Sequence, residues 1–219
     1  TWSPPAGLST TGIAQPDATA PGTYTVTVTN TNNGCVATDA VIVAQNITPP
    51  VADAGVDKTL TCASPSLQIG TAAIAGNTYT WSPPAGLSNG NTAAPTTNTP
   101  GTYTLTVTNT ANGCTATDAV TISQNITPPV ANAGVDKTLT CTNPALQIGT
   151  AGSVNNTYSW SPTAGLSDDS IAQPTASSAA TYTLTVRNTL NGCTATDAVT
   201  ISQNTTPPVA NAGADKTLT

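Results

Sequence analysis

The sequence predicts an all-β chain, a tandem array of β-sandwich domains of about seven strands each, and three observations predict it. Trp2, Trp81 and Trp160 open the same phrase, Trp-Ser-Pro-(Pro/Thr)-Ala-Gly-Leu-Ser, at a spacing of 79 residues, a period long enough to hold one whole domain. Thr102-Tyr103-Thr104-Leu105-Thr106-Val107-Thr108 alternates strictly between threonine and apolar residues, as a strand with one buried face does. Pro, Gly, Asn and Ser punctuate every interval, and no stretch repeats apolar residues at helical spacing.

The joints come first. Pro49-Pro50-Val51-Ala52-Asp53-Ala54-Gly55 recurs with one change as Pro128 to Gly134 and again as Pro207 to Gly213. Complete repeats are therefore expected at 51–126 and 130–205. Residues 1–46 correspond to the C-terminal part of a truncated repeat, and 209–219 to the first strand of a further one. Within a repeat, 137–141 and 146–148 read as early strands, Tyr158 and Trp160 alternate on a central one, and 171–174 is a weaker strand. Tyr103, Leu105 and Val107 then face inward, Asn112-Gly113 supplies the positive φ angles of a hairpin turn, and 115–123 returns with Val120 and Ile122 on one face. Asn33-Gly34 and Asn191-Gly192 repeat that hairpin. Trp2, Trp81, Trp160, Tyr24, Tyr103 and Tyr182 are the expected aromatic core. The two prolines of each joint fix φ and predict a short, stiff linker, so that the repeats stack as a rod.

Only 6% of the residues are charged, and the net charge is −6. With no basic stripe, nucleic acid and anionic membranes have no electrostatic footprint. No run approaches the ~20 apolar residues of a membrane span, so no membrane insertion is expected in this segment. The low charge also removes the repulsion that keeps neighbouring rods apart, which favours lateral packing.

Cys35, Cys62, Cys114, Cys141 and Cys193 alternate at intervals of 27 and 52 residues, two per period. Pairing inside each repeat joins Cys62 to Cys114 and Cys141 to Cys193, links an early strand to the last hairpin, and leaves the partner of Cys35 outside the chain. The alternative, Cys35 to Cys62 and Cys114 to Cys141, staples neighbouring repeats. We expect the first, with Trp160 packed beside the bridge. A loop of roughly 50 residues closed this way stabilises by about 4 kcal/mol, and disulfides imply an extracytoplasmic setting.

Val130 to Thr140, Tyr158-Ser159-Trp160-Ser161-Pro162, Thr181-Tyr182-Thr183-Leu184-Thr185-Val186 and Asn191-Gly192-Cys193-Thr194-Ala195-Thr196-Asp197 together resemble bacterial Ig-like and PKD-like repeats. The chain is similar in particular to repeats of very large cell-surface proteins of gliding bacteria that use type IX secretion. It carries Trp-Ser-Pro where PKD domains carry Trp-Asp-Phe-Gly-Asp-Gly. The resemblance implies tandem Ig-like sandwiches in a secreted, extracellular or cell-surface protein. It further implies a structural filament, stalk or adhesin and not an enzyme; the stiff joints and the sparse charge make other copies of the repeat the expected partners, end to end and laterally.

Candidate chemistry is sparse. With no His and no Ser or Cys beside a plausible base, nucleophilic catalysis has no constellation, and no cofactor is expected. The aspartates Asp53, Asp57, Asp118, Asp168 and Asp169 are the candidates for calcium at the joints, although six to eight oxygen ligands are hard to assemble from so few. Asp57-Lys58, with its counterparts Asp136-Lys137 and Asp215-Lys216, reads as a charged guard on an edge strand. Thr23, Thr25, Thr27 and Thr29 and their counterparts form one threonine-faced strand per repeat. That strand motivates the alternative reading, an adhesive stalk that binds surface glycans. Asn46, Asn125 and Asn204 at the joints, with Asn155, lie in N-x-(S/T) sequons, and Ser170 follows Asp169 as a candidate O-glycosylation site.

Overall fold

A computed structural model describes residues 1–217, and its ordered elements are all strands. In the first part of the chain β1 (Trp2–Ser3), β2 (Gly22–Thr29) and β3 (Val36–Val43) form one sheet in that order. The middle repeat holds β4 (Lys58–Thr61), β5 (Leu67–Gln68), β6 (Asn77–Ser82), β7 (Thr96–Thr97), β8 (Gly101–Asn109) and β9 (Thr115–Asn125). The last repeats the set as β10 (Lys137–Thr140), β11 (Leu146–Gln147), β12 (Asn156–Ser161), β13 (Thr175–Ala176), β14 (Ala180–Asn188) and β15 (Thr194–Asn204).

Each of these two repeats is a four-stranded sheet, ordered β4-β9-β8-β6 or β10-β15-β14-β12, with a two-stranded sheet, β5-β7 or β11-β13. Six strands form where about seven were expected, because the segment after the central strand contributes only the isolated bridges Leu87–Thr97 and Leu166–Ala176. The weak strand expected at 171–174 forms instead at Thr175–Ala176. Pro174 has no N–H to give to a ladder, and its carbonyl accepts from Ile148 N–H.

Alternation determines the core. Tyr182, Leu184 and Val186 of β14 and Val199 and Ile201 of β15 close over Leu139, Ile148 and Trp160, and the equivalent residues of the middle repeat do the same. Trp160 is 1% exposed, and its indole N–H donates to the Ile171 carbonyl at 2.9 Å. Its ring lies against Gly149, whose φ is +77°. A Cβ at Gly149 would strike the Ala172 carbonyl oxygen and come within 3.1 Å of the indole. Trp81 is also buried, whereas Trp2 is half-buried. The Tyr182 hydroxyl lies 3.0 Å from the Ala164 carbonyl oxygen and 3.1 Å from that of Ser178, and burial pushes its phenol pKa up.

The first strand of each repeat pairs in parallel with the last, Lys58 opposite Ile122 and Thr61 opposite Asn125. Aspartates hold it there: Asp57 accepts Thr121 N–H and Asp118 accepts Ala54 N–H, both at 2.8 Å. Lys58 donates to the Gln68 carbonyl at 2.6 Å, so at this edge the Asp-Lys pair tethers both neighbouring segments. The last hairpin also differs from expectation. Gly113 alone has positive φ, at 71°. The turn is longer than two residues, with Gly113 N–H donating to Asn109 O at 2.8 Å and Asn109 N–H to Cys114 O at 2.9 Å. Asn112 is thereby free of the left-handed role and turns its side chain to another task.

Candidate functional site at the joint

The parallel first strand decides where the cysteines meet. Cys62 follows Thr61, opposite Asn125 at the C-terminal end of β9, whereas Cys114 precedes Thr115 at the other end of the same strand. Ten residues of strand separate those ends by roughly 33 Å, against the ~7 Å limit between bridged Cα atoms. The expected bridges Cys62–Cys114 and Cys141–Cys193 therefore do not form. The alternatives Cys35–Cys62 and Cys114–Cys141 also fail, since both cysteines of each such pair lie at the wrong ends of successive repeats.

Cys62 is instead bonded to Cys193, 131 residues on, with Cα atoms 5.0 Å apart. Cys35, Cys114 and Cys141 are free thiols. The bridge ties the far end of the middle repeat to the hairpin of the last. It belongs to neither hydrophobic cluster, so Trp160 packs against Gly149 and not beside a disulfide.

Around this bond the hairpin tip grips the joint. The Asn191 amide donates to the Asn125 side-chain oxygen at 3.0 Å and to the Thr127 carbonyl at 2.9 Å. Its own side-chain oxygen accepts Cys193 N–H at 2.9 Å, and its carbonyl accepts Ala63 N–H at 3.1 Å. Asn191 is 2% exposed and every polar group it buries is paired, which a buried amide requires. Gly192, with φ +72°, fits where a Cβ would meet that of Ala63 at 2.6 Å. Asn112 repeats the grip at the first joint, donating to Asn46 at 3.2 Å and to the Thr48 carbonyl at 3.0 Å. Asn112 and Cys114 remain half-buried there.

Asn191→Ala removes two donors and one acceptor, each worth about 1 kcal/mol net, and should loosen the joint by about 2–3 kcal/mol. Exchange of the Cys193 and Ala63 amides is expected to accelerate at least tenfold in the oxidised chain, while amides in the centre of β14 keep their protection. Unchanged exchange at both amides would show that the grip contributes nothing.

The remaining candidates have local partners. Asn46 and Asn125 accept hydrogen bonds from the gripping amides, and Asn204 accepts Thr206 N–H at 3.5 Å. Ser170 donates its hydroxyl to Asp168 at 2.6 Å and its N–H at 2.8 Å. These two bonds, the hydroxyl's first, hold the Asp168 carboxyl below its ordinary pKa. Among the described residues no three His, Cys, Asp or Glu side chains gather. Asp53, Asp57 and Asp118 each face a backbone N–H. Threonines, expected on one strand per repeat, stand on three: Thr80–Thr106–Thr117 and Thr78–Thr108–Thr115 form rows across β6, β8 and β9.

A parallel first-to-last strand pair, an otherwise antiparallel sheet and a small second sheet define tandem Ig-like β-sandwiches. No protein-family model matches the chain, and no curated protein matches it. Among solved structures it is similar to extracellular domains 3–5 of Drosophila OTK, at 12% identity over 84% of this chain and 71% of that one, TM-score 0.39. It is similar to extracellular cadherin domains 1–4 of Protocadherin Gamma B7, at 13% identity over 85% of this chain and 58% of that one, TM-score 0.38. The I67–I69 I-band fragment of titin shares 11% identity over 84% of this chain and 75% of that one, TM-score 0.35.

Proposed function

We propose that this chain is a structural repeat region of an extracellular fibre or cell-surface filament, a stiff rod of clasped β-sandwiches. The observation that supports this reading is the joint. The Cys62–Cys193 bond and the Asn191 grip hold successive repeats together, where an array of independently moving domains would leave the linker to its prolines alone. The disulfide also supports an oxidising, extracytoplasmic location, and the resemblance of the repeats supports secretion from a bacterium. We divide the chain into repeats at 51–126 and 130–205, flanked by parts of repeats at 1–46 and 209–219.

The partners are other copies of the same repeat. Cys114 and Cys141 are the translational equivalents of Cys193 and Cys62, so each carries one half of the same clasp. Sparse charge on the rod favours lateral packing. The rows of threonine hydroxyls across three strands favour a second reading, an adhesive stalk that binds surface glycan.

Solution scattering and electron microscopy of the oxidised chain test the rod. At about 36 Å for an eleven-residue strand per repeat, straight particles of roughly 100 Å with one inter-repeat angle are expected. A broad distribution of bend angles would overturn the reading. Retention of the chain on a glycan array would favour the stalk.

A further inference from the structure

Resting on that reading, we infer that the array carries tension along covalent plies that bypass most of each sandwich. From Cys35 the chain runs through β3, across the first joint and through β4 to Cys62. The disulfide passes the load to Cys193, from which β15 leads to the next joint. Everything between Cys62 and Cys193, including β5 to β9 and β10 to β14, hangs from this path without lying on it. The whole 131-residue separation is withheld from extension.

A second ply runs beside the first, one repeat out of step: Cys114, β9, the joint 126–129, β10, Cys141. The two plies are the partners in each parallel pair, β4 against β9 and β10 against β15. Because paired strands point the same way, sliding one ply past the other shears all the ladder bonds of a pair at once. An antiparallel hairpin pulled at its open end yields one bond at a time.

The path also has little slack. The 27 residues from Cys35 to Cys62 cover two repeat lengths, roughly 70 Å at the strand rise, of a fully extended reach of about 90 Å. Where the clasp recurs at every joint, each ply continues by alternating one such segment with one sulfur bridge.

The test is to stretch the whole chain by its two termini in optical tweezers, oxidised, and again as Cys193→Ser. The variant should release two unfolding steps, one per complete repeat. Its final length should exceed that of the oxidised chain by about 450 Å, the reach of the withheld residues. The oxidised chain should show neither step at forces that fully unfold the variant, and Cys114→Ser should behave as the oxidised chain does. Unfolding steps of equal length and force in the oxidised chain and in Cys193→Ser would overturn the inference. Bent particles in scattering together with the missing steps would overturn the rod and leave the plies standing.

Discussion

Replacing Cys193 with serine should lower the unfolding temperature of the last repeat by roughly 20 °C and separate its transition from that of the middle repeat. When the last repeat unfolds while the middle one stays folded, the bond closes a loop from the joint to Cys193, some 65–70 residues long. Chain entropy values that closure at about 4 kcal/mol, and a domain of this size shifts by about 4–8 °C per kcal/mol. Cys62→Ser should have the same effect, because it removes the same bond. Cys114→Ser and Cys141→Ser should be nearly silent, since both residues are free thiols. Calorimetry of the four variants under oxidising conditions checks this. Bridges inside each repeat predict the opposite pattern, with Cys114→Ser as damaging as Cys62→Ser.

Trp160→Ala should cost the last repeat about 3–5 kcal/mol, the usual range for deleting a buried aromatic. The core it leaves is small, with no other side chain of its size, and the Ile171 carbonyl loses its indole donor. A repeat of some 75 residues has only about 4–11 kcal/mol in hand. Gly149→Ala should do comparable damage by a different route. It combines a side chain in the left-handed region, worth about 1–3 kcal/mol, with overpacking against the Ala172 carbonyl and the Trp160 ring, worth a similar amount. Hydrogen exchange should show protection lost across β12, β14 and β15 in both variants and retained in β6, β8 and β9. Protected amides throughout the last repeat would refute the assigned role of Trp160 in its core.

The long strands were legible because their alternation has one physical meaning. Tyr103, Leu105 and Val107 bury a face wherever the partner strand lies, and the structure places all three in the core. The cysteine pairing was not legible, for a reason peculiar to a periodic chain. Spacing specifies a partner only up to whole repeats, and 52 residues inside one repeat looks the same as 131 residues reaching into the next. What breaks the tie is the direction of the first strand, and the four residues Lys137–Thr140 carry no signal for parallel over antiparallel pairing. Asn191 was missed because Asn-Gly already had an explanation as a turn, and Asn125 because it already stood in a sequon. Their coincidence at the joint, one period after Asn112 and Asn46, was the available clue. The threonine rows escaped because β6 and β9 place their hydroxyls opposite those of β8 only once the register is known.

A bond that reaches over the joint also makes the chain tolerant of damage. Exposed turns are where proteases cut, and many such turns lie between Ala63 and Gly192. A single nick in any of them leaves both fragments held by the sulfur bridge, so the covalent thread survives until the disulfide is reduced or a cut falls outside the bridged stretch.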